Sequence, residues 1–471
     1  MLEIRQSLAF GAFTGFIVFV LYRGISYEAH RSTAYDVDEV DVQAVSLPDF
    51  SAYRDIATLS TDEFPLDDPH RRVIIVGDIH GMNKEMHRLL EKLNYDESSD
   101  KFIHVGDLVA KGPHKGSLAV LSYMSSHNIT GVRGNHDQKV IEWRGWLDWI
   151  HAQPGGKKWL TALNDDWESH KVDDDQLSEW IEKAKKKHKS KWWRKVPDGW
   201  RLFSDHYRIA RDMRKEDFEY LKNLPLKIHI PSAHAFIVHA GLLPSDPNYK
   251  PNHKRQPLAR IPSLPKDLAS SSKESALREI QERAILTEVP QNTDPWTNIN
   301  MRSVLDDGDV TRKGNDGTPW SHYWNRDMKS CVGYDGSLRL GDEEEVEKHK
   351  DRELPCMPST VVYGHAAARG LDVKRWSIGL DSGAVYGRRL TALILSYKDQ
   401  KIYETIEGDE TVDEDEDDDE EDEDDDDDDE DDDEDEDDRK RQQPSLSRRK
   451  KHRKWARFGD RGRGKLVSVK V

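Results

Sequence analysis

The sequence predicts an α/β domain over residues 71–402, built from layers of strands and helices. Within this range, short apolar runs rich in β-branched residues alternate with stretches of helical periodicity, which is typical of layered α/β folds. Gly or Asp punctuates the runs, and each run has the length of a single strand. The five runs are residues 73–76, 102–105, 235–238, 360–363 and 390–397.

Composition narrows the class of protein further. The chain has 471 residues and a mass of 54.4 kDa, enough for one large domain or two ordinary ones. Only 35% of its residues are hydrophobic and 34% are charged, which excludes a polytopic membrane protein and a uniformly packed globule. The two cysteines, Cys331 and Cys356, exclude a disulfide framework and a zinc ribbon. They either form one bridge or remain free thiols.

The C-terminal segment dominates the net charge of -19. Residues 413–438 are all Asp or Glu, and residues 439–471 are rich in Lys and Arg. A long acidic block cannot bury apolar surface, so we expect an acidic disordered tail over residues 403–438 and a basic tail over residues 439–471. The acidic run is either a solvated tail or an internal polyanion that folds onto a basic surface.

An apolar segment near the N-terminus predicts a membrane anchor. Residues 7–22 carry no charge and lie between Arg5 and Arg23. As a helix they span about 24 Å, and flanking residues can extend them toward the roughly 30 Å of a bilayer core. A cleaved signal peptide is the alternative, but no small-residue cleavage site follows. We therefore expect an uncleaved signal anchor over residues 1–27 and a linker over residues 28–70, while the orientation stays open.

A helical insertion rich in Trp and Lys interrupts the strand pattern over residues 138–220. Tryptophans at helical spacing, such as Trp143 and Trp146, predict packing inside a helical cap. The basic cluster over residues 183–195 has two interpretations. Its lysines are either a solvated surface or a cationic wall that attracts a long polyanion.

Four separated fragments carry residues that bind metal ions. The fragments are residues 77–81, residues 106–112, residues 134–137, and the pair His239 and His365, which each follow a strand. Polar side chains at strand ends are brought together at one edge of a sheet. Two neighbouring divalent ions need a bridging carboxylate with mixed nitrogen and oxygen ligands, and these fragments supply both.

These fragments resemble the calcineurin-like metallophosphatase superfamily, in its branch of phosphoprotein phosphatases and ApaH-type tetraphosphatases. Residues 378–387 and 390–393 are most similar to the ApaH-like subgroup. The resemblance implies a four-layer α-β-β-α sandwich for this α/β domain. With the N-terminal anchor and the insertion, the chain is most similar to fungal vacuolar zinc-dependent endopolyphosphatases of this superfamily.

The resemblance implies two divalent metal ions, with Zn expected and Mn, Co or Fe accepted by the same ligands. The expected ligands are Asp78, His80 and Asp107 for the first ion, and Asn135, His239 and His365 for the second. Asp107 would also bridge to the second ion.

The resemblance also assigns roles on the substrate side of the centre. His136 would donate a proton to the leaving oxygen, while Lys111 and Arg302 would clamp phosphate, with Arg133 assisting. Ala110 departs from the pattern, because protein phosphatases have there an acidic residue that orients the catalytic histidine. This departure argues against a protein phosphatase and leaves open which group orients His136.

Five other polar residues near the strands are interpreted as structural. His104, His229 and His234 are expected to be core or surface histidines. Asp137 is expected to cap the helix that follows it, and Asp381 is a turn residue or a neighbour of the ligands.

The implied reaction is hydrolysis of phosphoanhydride bonds by water activated between two ions. Internal cleavage of inorganic polyphosphate at a vacuolar membrane, by a lumenal catalytic domain, is the first expectation. Dinucleoside tetraphosphates, RNA caps and phosphoproteins are alternative substrates, and an inactive membrane-tethered binding protein is the alternative of another class. No specific nucleic-acid motif is present, and the partner of the tails is not readable.

Overall fold

A computed structural model describes residues 53–170, 172–173, 175–261, 270–333, 353–400 and 454–471. The predicted anchor at residues 1–27, the acidic tail after residue 402 and the first part of the basic tail lie outside these described residues. Within the described ranges, none of the helices has the length and apolar character needed to cross a membrane.

Six strands form one large sheet. In spatial order they are β1 (Arg54–Thr58), β5 (Pro225–Ile230), β6 (Ala235–Val238), β10 (Thr360–Tyr363), β12 (Ser377–Gly379) and β11 (Asp372–Val373). Three neighbouring pairs are parallel, namely β1 with β5, β6 with β10, and β10 with β12, while β5 and β6 run antiparallel.

A second six-stranded sheet has a parallel half and an antiparallel half. The strands, in spatial order, are β14 (Trp455–Phe458), β15 (Gly462–Lys470), β13 (Arg389–Ser396), β2 (Arg72–Val76), β3 (Asp100–His104) and β4 (Thr130–Gly131). Strands β2, β3 and β4 run parallel, and β13 pairs antiparallel with β2. A small sheet of β7 (Ser303–Val304), β8 (Val310–Thr311) and β9 (Thr318–Pro319) joins them.

Helices cover the outer faces of the two large sheets. Those of the N-terminal half are α1 (Asn83–Lys92), α2 (His114–Ser126), α3 (Asn135–Ala152), α4 (Gly156–His170), α5 (Leu177–Lys187), α6 (Asp205–Asp212) and α7 (Lys215–Asn223). Those of the C-terminal half are α8 (Ser270–Glu288), α9 (Pro290–Thr293), α10 (Pro295–Asn300), α11 (Trp320–Lys329) and α12 (Tyr397–Gln400).

The alternation of side chains along β2 shows how the layers form. Val73 and Ile75 face the other sheet and pack in a core that also contains Ile228 and Val362. Ile74 and Val76 point the opposite way, into the core beneath α1 to α7. A third core lies beyond the first sheet, where Phe236 and its neighbours pack against α8 and α11. The predicted four-layer α-β-β-α sandwich is confirmed.

Two segments predicted to lie outside the domain contribute strands to it. Arg54–Thr58, within the expected linker, forms β1 and pairs with β5. Within the expected basic tail, β15 pairs with β13 from Lys470 to Lys465. The boundaries expected for the linker and the basic tail are therefore corrected. On the edge of β13 opposite to β2, β15 forms the backbone hydrogen bonds, and Phe458 fills space between the two sheets.

The insertion is helical, and its tryptophans pack as expected. Trp146 is fully buried, and Trp143 meets the rings of Trp146 and Tyr207 edge to face. Several lysines of the basic cluster are exposed but paired with carboxylates. Lys183 lies 2.6 Å from Glu179, and Lys185 lies 2.7 Å from Glu182. Such pairs reduce the field that a cationic wall would present.

The C-terminal hairpin generates a stability prediction. Phe458 is 1% exposed and stacks on Phe64 with ring centroids 6.4 Å apart, so Phe458→Ala should lower the unfolding free energy by about 3–5 kcal/mol. Arg457→Ala is the matched control, because Arg457 is the exposed neighbour on β14 and should change it by less than about 0.5 kcal/mol. Urea unfolding of the full chain measures both. Equal effects of the two substitutions would contradict a packed hairpin.

Candidate metal centre

The expected metal ligands converge at the carboxyl ends of strands from both sheets. Asp78 and His80 follow β2, and Asp107 follows β3 in the same sheet. His239 directly follows β6 and His365 lies just beyond β10, a parallel pair in the other sheet. Parallel neighbours present their carboxyl ends at one edge, so the two sheets together surround one buried centre.

Three of these ligands have left-handed backbone conformations, which are uncommon for residues other than glycine. The φ angles are 47° at His80, 49° at Asp107 and 67° at His365. Each such conformation costs on the order of 1–3 kcal/mol, and strained residues of this kind cluster at functional sites. Glycine allows the loops to approach, since a Cβ at Gly364 would overlap Asp78 Oδ1 and one at Gly134 would overlap Asp107 Oδ1.

The ligand atoms form two groups that share Asp107. Asp78, His80 and Asp107 form one group, and Asp107, His239 and His365 form the other. Within each group, the candidate ligand atoms all lie within 4.8 Å of one another. His80 Nε2 lies 3.6 Å from Asp107 Oδ2, whereas His239 Nε2 lies 3.4 Å from Asp107 Oδ1. The two oxygens of Asp107 therefore face different groups, an arrangement in which one carboxylate can bridge two ions.

Backbone carbonyls determine which nitrogen each histidine turns to the centre. His239 Nδ1 lies 2.9 Å from the carbonyl of Val105, and His365 Nε2 lies 3.1 Å from that of Asn300. A carbonyl accepts, so these nitrogens carry protons and the other nitrogen of each ring is the one turned to the centre. Those two nitrogens converge on Asn135 Oδ1, at 3.0 Å from His239 and 3.1 Å from His365. Three potential ligand atoms at one point can bind a single cation, which would displace the proton that metal-free His239 carries there.

Electrostatics agree with this interpretation. Asp78 is buried, and its Oδ1 has no hydrogen-bond partner among the described residues. Burial and the negative charges of Asp381 and Asp107 raise the pKa of Asp78 well above its usual value. Burial lowers the pKa of His239, but the carboxylates of Asp107 and Asp78 outweigh it and raise that pKa to about 10. Divalent ions would relieve the repulsion among the carboxylates, so the residues present fit a pair of such ions.

Asp381 belongs to this centre, although the sequence interpretation leaves it out of the ligand set. It is buried two residues beyond β12, and its Oδ1 accepts a hydrogen bond from the backbone N–H of Gly383 at 3.1 Å. The sequence signal that could have identified Asp381 is its position just after β12, which runs parallel to β10.

Lys111 and Arg302 border the centre. Lys111 Nζ donates to Tyr386 OH at 3.0 Å. Arg302 Nη2 lies 3.4 Å from the carbonyl oxygen of His365, and after burial its charge is the strongest influence that lowers the pKa of His365. No sequence motif indicates this contact between Tyr386 and Lys111.

The role expected for Arg133 in phosphate binding is corrected, because the structure does not bring its guanidinium into the centre. The side chain is 1% exposed and donates to Gln138 Oε1 at 2.8 Å and to the carbonyl of Lys222 at 2.6 Å. It stacks over Tyr53 as well, at 5.3 Å from the ring centroid. These contacts fasten α3 and α7 to β1, which is a structural role.

His136 lies at the first turn of α3, next to Asn135. Its backbone N–H donates to Asp107 Oδ1 at 3.0 Å, and its ring meets that of His80 edge to face at 5.2 Å. Burial holds the pKa of His136 well below its usual value, so the neutral ring is favoured. Its Nδ1 lies 2.8 Å from His206 Nε2, a contact that no sequence motif indicates.

The other polar residues are structural, as expected. Asp137 accepts from the backbone N–H groups of Leu108 and Gly134, both at 3.0 Å, and so caps α3. His104 contacts Tyr220 OH at 2.9 Å. His229 and His234 both contact the buried carboxylate of Glu282.

The centre predicts that divalent ions stabilise the fold. Removing them with a chelator should lower the melting temperature of the full chain, because the buried carboxylates then repel one another. Returning the metal at about 100 times its Kd should restore about 2.7 kcal/mol. Differential scanning calorimetry measures the shift, and Asp107→Asn should reduce it strongly. An identical melting temperature with and without metal would contradict a bound pair of ions.

Comparison with known proteins agrees with the fold and the centre. Residues 71–244 match the family model described as calcineurin-like phosphoesterase. A symmetrical bis(5'-nucleosyl)-tetraphosphatase of Buchnera aphidicola is 36% identical over 23% of this chain and 36% of its own length. Serine/threonine-protein phosphatase 1 of Salmonella typhimurium is 34% identical over 20% of this chain and 42% of its own length.

A longer alignment joins the chain to a symmetrical bis(5'-nucleosyl)-tetraphosphatase of Nitrosospira multiformis. That alignment is 24% identical and covers 71% of this chain and 95% of the relative. The chain thus spans less than half the length of the first two relatives and most of the third. The family match includes the first two strand-end motifs, the start of α3 and His239. Residues 71–244 are thus similar to the calcineurin-like phosphoesterase family.

Proposed function

We propose that this protein hydrolyses phosphoanhydride bonds with the help of two divalent ions, and that it cleaves inorganic polyphosphate internally. The observation that carries the proposal is the position of Asp107, whose two oxygens face two separate ligand groups. One bridging carboxylate between mixed nitrogen and oxygen donors is the arrangement of a two-metal site for phosphoryl transfer.

The proposed chemistry divides between the ions and the chain. Divalent ions held by these residues would polarise phosphoryl oxygens and lower the pKa of water. Lys111 and Arg302 border the centre, where their positive charges would neutralise phosphoryl oxygens during the displacement. His136 has Nδ1 engaged by His206, so Nε2 is the nitrogen from which a proton passes to the leaving oxygen.

Two features support an anhydride rather than a phosphoprotein as the substrate. The relatives that align with this chain over most of their own length are symmetrical bis(5'-nucleosyl)-tetraphosphatases, and that name describes anhydride cleavage in those proteins. A leaving phosphate needs less assistance from a general acid than a leaving alkoxide does. Anhydride cleavage therefore suits a centre in which position 110 is alanine and offers no carboxylate to orient His136. Lys111 and Arg302 at the border of the centre suit a substrate with several negative charges, such as polyphosphate.

A dinucleoside tetraphosphatase is the second candidate. The alignment with the Nitrosospira multiformis relative over 95% of its length favours it. Both candidates use the same centre and differ in what lies beyond the scissile bond. Two buried groups of metal ligands that share Asp107 would have no purpose in an inactive tethered protein, so this third class is the weakest alternative.

We also propose that the segment at residues 7–22 anchors the protein in a vacuolar membrane and that the catalytic domain lies in the lumen. We propose Zn as the resident metal. Cys331 and Cys356 form a disulfide in the structure. Disulfides persist in oxidising compartments and are rare in the cytosol, which supports the lumenal part of this proposal. Fractionation of epitope-tagged cells with protease protection tests it, and a cytosolic pool with reduced cysteines would overturn it.

The substrate is tested with the full chain, long-chain polyphosphate and added Zn²⁺, Mn²⁺ or Co²⁺. We expect metal-dependent products of intermediate length on a gel, since internal cleavage shortens chains before it releases monomer. Asp107→Asn should lower the rate by about 100-fold or more, because it removes the shared ligand. Asp148→Asn is the matched control, since Asp148 is 56% exposed on α3.

Parallel incubation with diadenosine tetraphosphate separates the two candidates. Intact polyphosphate together with released adenine nucleotides would transfer the assignment to the dinucleotide substrate while keeping the metal centre. No hydrolysis of either substrate under any metal would contradict the proposed enzyme activity.

A further inference from the structure

The helical insertion reaches the centre through a contact between two histidine rings. His136 and His206 are both buried, with 6% and 8% of their surfaces exposed. Their rings lie nearly parallel, at an interplanar angle of 12° and a centroid separation of 5.0 Å. The distance of 2.8 Å between His136 Nδ1 and His206 Nε2 is that of a hydrogen bond.

The same turn of α6 contacts a second loop of the centre. Asp205 Oδ2 accepts a hydrogen bond from the backbone N–H of Lys111 at 2.7 Å. Lys111 and Ala110 both have left-handed backbones, with φ angles of 62° and 69°. The first two residues of α6 therefore hold the loop of Lys111 and the ring of His136 together.

Packing fixes α6 at this position. Tyr207, directly after His206, is fully buried against Trp143 on α3, the helix that carries His136. Phe203, two residues before Asp205, is buried with a φ of 65°, a conformation that only tight surroundings maintain for an aromatic residue. Its ring stacks on Trp167 at 4.9 Å. The tryptophan-rich insertion thus provides a rigid support for His206.

We propose that His206 is a positioning residue, which fixes the ring orientation and the tautomer of His136. The proposal rests on the proposed function in one respect, the role of His136 as proton donor. A hydrogen bond between two ring nitrogens holds a single proton. The bond fixes the rotation of the His136 ring and leaves Nε2 to act on the substrate. A protonated His136 gives its Nε2 proton to the leaving oxygen and ends as a neutral ring, whose remaining proton lies on Nδ1, where His206 Nε2 accepts it.

This assignment explains how the centre functions with alanine at position 110. Ala110 offers no oxygen to accept from the histidine ring, and the insertion supplies a nitrogen in its place. His206 Nε2 can accept the Nδ1 proton as a carboxylate would, without adding a negative charge to the buried site.

The test compares His206→Leu with His206→Gln in the full chain with metal. Leucine fills similar volume without a hydrogen bond, while the glutamine amide oxygen can accept a hydrogen bond from His136 Nδ1. The substrates are phenyl phosphate, a poor leaving group, and 4-nitrophenyl phosphate, a good one. His206→Leu should lower kcat by about 100-fold for phenyl phosphate, by less than about 10-fold for 4-nitrophenyl phosphate, and leave KM unchanged. His206→Gln should recover most of the loss.

His151→Leu is the matched control, because His151 is exposed at the far end of α3 and should leave both rates unchanged. Equal losses on both substrates, or no recovery with glutamine, would overturn the positioning role. So would loss of bound metal from His206→Leu, measured by mass spectrometry, since the effect would then act through the ligands. The aryl esters make this test independent of the natural anhydride, so failure with polyphosphate leaves it standing.

Nitrogen NMR of isotope-labelled histidine gives a readout that does not depend on turnover. The His136 signals should show a protonated Nδ1 that is hydrogen-bonded to His206 in the unmodified chain, and a changed tautomer ratio in His206→Leu. Identical His136 signals in both proteins would contradict the proposal even where neither ester is hydrolysed.

Discussion

The structure depends on one constraint, a set of buried acceptors that must be held close together. Asp107 stands between His80 on one side and His239 on the other, and Asp78 and Asp381 add further negative charge. Buried carboxylates this close together repel in the absence of cations. A fold that places Asp78, Asp107 and Asp381 together is therefore suited to binding divalent ions.

The two sheets are the means by which the acceptors are held. Loops from one sheet bring Asp78 and Asp107, and loops from the other bring His239 and His365. The backbone N–H of His365 donates to Asp78 Oδ2 at 3.0 Å and so joins the two sheets at the centre itself. The apolar core between the sheets maintains this junction, and the hairpin of β14 and β15 completes that core. Strain at the ligands is tolerated because the surrounding packing is extensive.

The sequence allows the central strands and the ligands to be predicted, because both signals are local. A β-branched run followed by Gly and a polar ligand, as at Val76 to Asp78, combines strand propensity and chemistry within a few residues. The hairpin at the C-terminus was missed because Arg457, Arg463 and Lys465 alternate with its inward residues, so that composition resembles a tail. Arg133 was assigned wrongly because a motif gives its position and not the direction of its side chain. His206 is separated from His136 by 70 residues, and only the packing of α6 on α3 brings the two together.

The central claim is that Asp107 is shared by two ions, and anomalous X-ray diffraction from crystals of the full chain grown with Mn²⁺ or Zn²⁺ tests it most directly. The account predicts two anomalous peaks on opposite sides of the Asp107 carboxylate. One should lie between Asp78 and His80, and the other between His239 and His365. A single peak, or two peaks that do not share Asp107 as a ligand, would contradict it.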